Sequence, residues 1–111
     1  MSLQNKELIL YETQDGKIPF EIWLLDLKDR MARAVVRARL DRLEAGNAGK
    51  FRSLGNGIYE LKIHYGPGYR IYFGIDGPVL VILLCGGDKS SQKTDIGKAR
   101  RYWADYARSK S

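Results

Sequence analysis

YELKIHYGPGYRIYFG, residues 59–74, is the stretch whose reading decides how the second half of this chain folds. Apolar and polar residues alternate on both sides of Gly66-Pro67-Gly68, the period-two pattern of two strands joined by a turn. With those three residues as the loop, Tyr65 stands opposite Tyr69, His64 opposite Arg70 and Lys62 opposite Tyr72. Tyr59, Leu61, Ile63, Ile71 and Phe73 then share one face, and Glu60, Lys62, His64, Arg70 and Tyr72 the other. Cross-strand neighbours lie about 5 Å apart at Cβ, so two cations, an imidazole and a phenol come within reach of one bound object.

Outward from the hairpin, the other elements follow from periodicity. Residues 7–12 (ELILYE) form a short β-prone run closed by Asp15-Gly16. Pro19 suits the first turn of a helix, and Phe20, Trp23, Leu24 and Leu27 lay one apolar stripe along it. Asp29 can cap a second helix reaching about Ala45, with Ala32, Val36, Leu40 and Leu43 inward and Arg30, Arg33, Arg37, Asp41 and Glu44 outward. Gly46 and Gly49 mark its end. After the hairpin, Asp76-Gly77-Pro78 turns the chain into residues 79–85, apolar at every position, as in a central strand covered on both faces. A polar loop, GGDKSSQK, leads to a final helix capped by Thr94 or Asp95, with Ile96, Ala99, Trp103 and Tyr106 as its stripe. The order β-α-α-β-β-β-α predicts a single α+β domain over residues 1–111. Two N-terminal helices and one C-terminal helix would pack on a mainly antiparallel four-stranded sheet.

Composition narrows the function classes. At 111 residues the chain is one domain with room for its own core. Its longest apolar run is far short of the roughly 20 residues that cross a bilayer, so no membrane partner is expected. The opening MSLQNKELILYETQDG has neither the basic flank nor the apolar stretch of a signal peptide. The single cysteine suits a reducing cytoplasm, and Cys85, at the end of an apolar strand, reads as a buried small residue. Residues 1–27 carry two Lys and five Asp/Glu, net −3, whereas residues 28–111 carry 17 Lys/Arg and eight Asp/Glu, net +9. A positive body of this kind favours a polyanion: nucleic acid, a ribosome or an acidic protein segment.

The polar hairpin face has two readings. Outer faces of antiparallel sheets are commonly rich in Lys, Arg and Tyr, so solvation alone accounts for it. Few acids share the face, however, and Lys89 follows the central strand in a Gly-rich loop that lets a ligand approach. Lys, His, Arg and Tyr on one face suit RNA, the cations holding phosphates and the rings stacking on unpaired bases. Lys93 and Arg52 extend the basic surroundings. GGDKS lacks the spacing of a P-loop, and one histidine with one cysteine makes no metal site. No metal or cofactor is expected.

LGNGIYELKIHYGPGYRIYFG, LLCGGDKSSQKTDI and KARRYWADY, in that order, resemble the RelE/ParE toxin superfamily, and within it the HigB-like addiction module killer proteins. The resemblance runs from Tyr11 to about Tyr106. It implies a cytoplasmic toxin held inactive by a cognate antitoxin, often of helix-turn-helix type, that together with it can bind operator DNA. It further implies an endoribonuclease working in the ribosome, in which the mRNA's own 2′-hydroxyl attacks the adjacent phosphate without a metal. The catalytic or RNA-holding positions it implies are Lys62, Arg70 and Lys89, with His64 where relatives are often basic. Such a reaction needs a base, an acid and positive charge against the phosphorane. Arg70 can clasp two oxygens, and histidine is the residue type that ordinarily titrates near neutrality. Tyr72, Lys93 and Arg52 would contact RNA, and Arg30, Arg33 and Arg37 are either a solvated face or a grip on ribosomal RNA. Two departures stand out. Residues 86–95 hold no tyrosine where some relatives place one, leaving Tyr72 or Tyr102 as substitutes, and Glu60 replaces a lysine of certain relatives. The same superfamily contains ParE-like gyrase inhibitors, and a catalytically silent co-repressor acting through its antitoxin is a further alternative.

Overall fold

The computed structural model describes residues 5–110, so residues 1–4 and 111 of the expected domain lie outside the described residues. The elements, in order, are β1 (Glu7–Leu10), α1 (Pro19–Asp26), α2 (Arg30–Glu44), β2 (Phe51–Gly55), β3 (Ile58–Ile63), β4 (Tyr69–Asp76), β5 (Leu80–Asp88) and, after a 3-10 turn at Lys89–Ser91, α3 (Gln92–Lys110). They build an α+β fold on one five-stranded sheet of order β1-β5-β4-β3-β2. All pairings are antiparallel except β1 with β5. The sheet is therefore mixed and has one strand more than the four expected.

The extra strand is β2. Its residues are exposed or half-buried and do not alternate, because it is an edge strand. What creates it is Asn56-Gly57, both at positive φ (56° and 82°), a two-residue turn that folds Phe51–Gly55 back onto β3.

The helices form where the apolar stripes placed them. Pro19 opens α1, and the Asp29 carboxylate accepts the Met31 N–H at 2.9 Å to cap α2. Phe20 and Leu24 of α1 and Ala32, Val36 and Leu43 of α2 bury against Leu61, Ile63, Ile71, Phe73, Val81 and Leu83 on one side of the sheet. On the other side Tyr72, Ile82, Leu84 and Cys85 meet Ala99 of α3, flanked by Ile96, Trp103 and Tyr106. β5 is thus covered on both faces, as its unbroken apolar run required. The hairpin face expected to be polar surface is instead a second core, open only where α3 has not yet begun.

Two details of register differ from expectation. Ile63 pairs with Tyr69, Lys62 with Arg70 and Glu60 with Tyr72. Residues 64–68 all leave the ladder, with Gly66 and Gly68 at positive φ and the Gly68 N–H bonded to the Tyr65 carbonyl. The shift is two residues, so every side chain still in the ladder keeps its expected face. β5 also runs on to Asp88 instead of yielding to a loop at Gly86, and α3 begins at Gln92 rather than at Thr94 or Asp95. The two glycines are structural. A Cβ on Gly86 would lie 2.2 Å from the Trp23 ring, and one on Gly87 would lie 1.8 Å from Asp95 Oδ2. Bare backbone there lets α1 and α3 close onto the strand.

Candidate functional site

The ladder that fixes the fold also assembles the cations. Lys62, one residue before the end of β3, pairs with Arg70, the second residue of β4, and Arg70 pairs in turn with Gly87 of β5. One residue later the Asp88 carboxylate accepts from the Ser90 N–H (2.9 Å) and hydroxyl (2.6 Å), winding the chain into the 3-10 turn. Lys89 is its first residue. Lys62, His64, Arg70 and Lys89 accordingly line one pocket of about 250 Å³, walled by Ile63, Gly68 and Tyr69. Three separate segments deliver the four groups that the sequence singled out. Lys62, His64 and Lys89 are exposed, and their side chains have no hydrogen bond or ion pair among the described residues.

Arg70 is the deep member, its side chain only 8% exposed. Nη1 donates to the Gly68 carbonyl at 3.3 Å, which ties the guanidinium to the turn. Nε is buried without a hydrogen-bond partner, 3.7 Å from Glu60 Oε2. Nη2 makes no hydrogen bond, so the fork keeps donor capacity for an anion that enters the pocket.

Glu60 is the hub behind that floor. It is buried and accepts from Arg52 Nε at 2.7 Å, Tyr72 Oη at 3.0 Å and Gln92 Nε2 at 2.9 Å. Burial by itself raises its pKa. The hydrogen bonds from Gln92, Arg52 and Tyr72 outweigh that, and the carboxyl is held below its ordinary value. Glu60 therefore stays ionised and saturated, which neutralises the buried side of Arg70. Sequence reasoning placed Glu60 on this face but saw only a departure from relatives; the available signal was that it shares the face with Arg70 and Tyr72, while its pairing opposite Tyr72 came only with the observed register.

Several site assignments change. Tyr72 is fully buried beneath α3, and burial together with the Glu60 charge pushes its phenol pKa far up, so it is out of reach of a base and holds its proton on the bond to Glu60. Tyr102 is no substitute either. It stacks on Tyr11 at 5.1 Å and lines a different cleft of about 430 Å³ between α1 and the start of α3. His64 lies in the turn beyond β3, not opposite Arg70. Lys93 is exposed on the first turn of α3 and does not line the pocket. Arg52 is committed to Glu60, although its side chain remains 57% exposed. Cys85 is buried and its thiol is pushed up to about 12 by burial and then by Asp95, as befits a packing residue. Of the α2 arginines, Arg30 and Arg37 are exposed and Arg33 is tied to the Leu27 carbonyl. The sequence reading missed Arg39, Arg42 and Lys50, which line a groove of about 490 Å³ sharing Lys62 and His64 with the pocket. No described helix is long and apolar enough to cross a membrane.

Comparison with known proteins locates this constellation in a family. The model for phage derived protein Gp49-like (DUF891) matches residues 23–101, a span containing α2, the whole β2–β5 sheet and most of α3, and with them every residue of the pocket. An uncharacterized protein of Haemophilus influenzae is 49% identical over 83 residues, covering 75% of this chain and 84% of that protein. The chain belongs to the phage-derived Gp49-like family, a family of type II toxin–antitoxin toxins related to the addiction module killer proteins.

Proposed function

We propose that this protein is the toxin of a type II module and cuts mRNA on the ribosome, the HigB-like activity of the RelE/ParE superfamily. The observation that carries the reading is the pocket itself. Lys62, His64, Arg70 and Lys89 come from three segments and face one cavity, with spare guanidinium donors at its floor. That set matches what internal RNA transesterification requires. The 2′-oxygen attacks the adjacent phosphorus, the P–O5′ bond breaks, and a 2′,3′-cyclic phosphate and a 5′-hydroxyl result. Arg70 stabilises the charge that grows on the non-bridging oxygens. Lys62 and Lys89 hold the flanking phosphates. His64, the exposed imidazole at the rim, takes the 2′-OH proton or supplies one to the departing O5′. The reaction proceeds in the cytoplasm, and an antitoxin neutralises it by covering the basic face.

The test is induction of the chain in a bacterium followed by mapping of transcript 5′ ends. Wild type should create new ends within translated reading frames. Arg70→Lys, which keeps the buried charge but loses the fork, should remove them along with the growth arrest. Full cleavage by Arg70→Ala would end the mechanism. Growth arrest with intact transcripts and DNA damage would move the protein to a gyrase target.

A further inference from the structure

The groove beyond Lys62 and His64 carries more positive charge than the fold uses. Arg42 in the last turn of α2 and Lys50 just before β2 face it. Neither side chain has a hydrogen bond or ion pair among the described residues. Beneath them Arg39 is pinned by its Nη atoms to the Lys62 and Ala48 carbonyls (3.1 and 3.3 Å), with Nε buried and unpartnered. Burial first, and the neighbouring Arg42 charge second, lower the Arg39 pKa. The groove's one carboxylate, Glu60, is already saturated.

Phe51 adds a second and different observation. It is 45% exposed, yet its ring is fixed edge-on by Tyr59 (5.4 Å, 81°) and Phe73 (5.9 Å, 61°). A half-exposed aromatic ring held by its neighbours among unpaired cations suits unpaired nucleotides, cations to backbone and ring to base. An acidic peptide would use the cations but has no need of the ring. The groove borders the Arg70 pocket, since Lys62 and His64 line both.

We propose that this groove is the track for the RNA strand on one side of the reactive phosphate, with Arg42 and Lys50 on phosphates and Phe51 under an unpaired base. The proposal rests on the ribonuclease reading above and extends it to a footprint.

Fluorescence anisotropy tests it with a labelled single-stranded RNA of about ten nucleotides, 2′-O-methylated so that it cannot be cut. Arg42→Gln/Lys50→Gln should weaken binding about tenfold and flatten the slope of log affinity against log salt by about 1.4, roughly 0.7 for each lost phosphate contact. Phe51→Leu, which keeps apolar packing but removes the π-face, should weaken binding about fivefold with the slope unchanged. Lys28→Gln/Arg101→Gln, two exposed charges away from the groove, should bind like wild type. Wild-type affinity in the groove variants would overturn the proposal. So would an oligoglutamate of equal charge that binds as tightly, loses as much in Arg42→Gln/Lys50→Gln and is indifferent to Phe51, which would make the groove a seat for an acidic segment. The two readings fail separately. Transcript cleavage with groove-independent RNA binding sinks only the track, whereas groove-dependent RNA binding without cleavage in cells sinks the nuclease.

Discussion

Glu60→Gln tests whether the hub behind Arg70 is held by charge or by shape. The substitution is isosteric, but one carboxylate oxygen becomes an N–H donor. Facing Tyr72 and Gln92, that donor would orphan two partners now bonded at 3.0 and 2.9 Å. The amide therefore turns its NH₂ toward Arg52, whose half-exposed guanidinium can swing into water. The remaining cost is the lost Arg52 bond, the lost charge assistance to the two bonds from Tyr72 and Gln92, and the lost counter-charge of Arg70, which stays 92% buried beside a neutral group. Breaking a fully buried pair typically costs about 3–5 kcal/mol. With Arg52 free to solvate and an acceptor retained, about 2–3 kcal/mol is the consistent figure. For a chain of this size that lowers the melting temperature by roughly 10 °C. The pH dependence has a definite sign. A carboxyl whose folded-state pKa lies below its unfolded value contributes stability that is complete above the ordinary Glu pKa of about 4.3 and is lost as the pH falls through the folded pKa. Urea unfolding of wild type and variant should thus show a gap at pH 7 that narrows below about pH 4. A gap under about 1 kcal/mol at neutral pH, or one that does not narrow in acid, would refute an ionised, charge-bonded Glu60.

Tyr72→Phe removes a buried donor to Glu60 and should cost about 1–1.5 kcal/mol in urea unfolding, yet leave transcript cleavage by the folded variant within about twofold, because the ring never reaches the pocket. Gly87→Ala drives a methyl into Asp95 Oδ2 and should destabilise by about 2–3 kcal/mol, read as a lower urea midpoint. Asp88→Ala removes the cap of the 3-10 turn. It should cost about 1 kcal/mol but reduce cleavage more than stability accounts for, since the turn is what places Lys89.

What the sequence made legible divides along physical lines. The helices were readable because a 3.6-residue stripe reports burial directly: Phe20, Leu24, Ala32, Val36 and Ala99 are all in the core. The faces of the hairpin were readable because parity survives a two-residue slip, so Lys62 and Arg70 still share a side. The pairing itself was not, since it depends on how many residues a Gly-Pro-Gly turn removes from the ladder. β2 left no alternation to read, being exposed along most of its length, although Asn56-Gly57 was an available signal for the hairpin that makes it. Hardest to see was the burial of Tyr72 and Glu60. A strand's polar face looks wet until the helix that covers it is placed, and α3 lies far along the chain. Nothing local distinguishes a tyrosine that stacks on a ligand from one that donates to a buried carboxylate. Arg39 and Arg42 were hidden for a related reason: a helical arginine reads as solvated unless the neighbouring strand edge is known.

The division of labour among the four pocket groups follows from where the ladder leaves them. Lys62, His64 and Lys89 sit in water, where in the ribonuclease reading each lysine would offer a phosphate a screened attraction and lose side-chain entropy in holding it. Arg70 is different because strand pairing on both sides and the Gly68 carbonyl fix its guanidinium before any ligand arrives. A fixed, largely desolvated cation interacts with developing charge more strongly than a mobile solvated one, and needs no reorganisation as that charge appears. Such a cation cannot be buried alone, which is what Glu60 answers: it compensates Arg70 from behind through the Nε side, while Nη2 remains without a hydrogen bond. In the ribonuclease reading, stability and phosphate chemistry are then coupled through one carboxylate. Glu60→Gln strips the counter-charge without touching the pocket wall, so in the ribonuclease reading it should destabilise the fold while leaving the folded fraction able to cut. Arg70→Lys should do the reverse, keeping charge in the core and losing the planar fork. Opposite rankings of these two variants in unfolding and in transcript cleavage are what separates a phosphate-binding arginine from one that merely closes a buried ion pair.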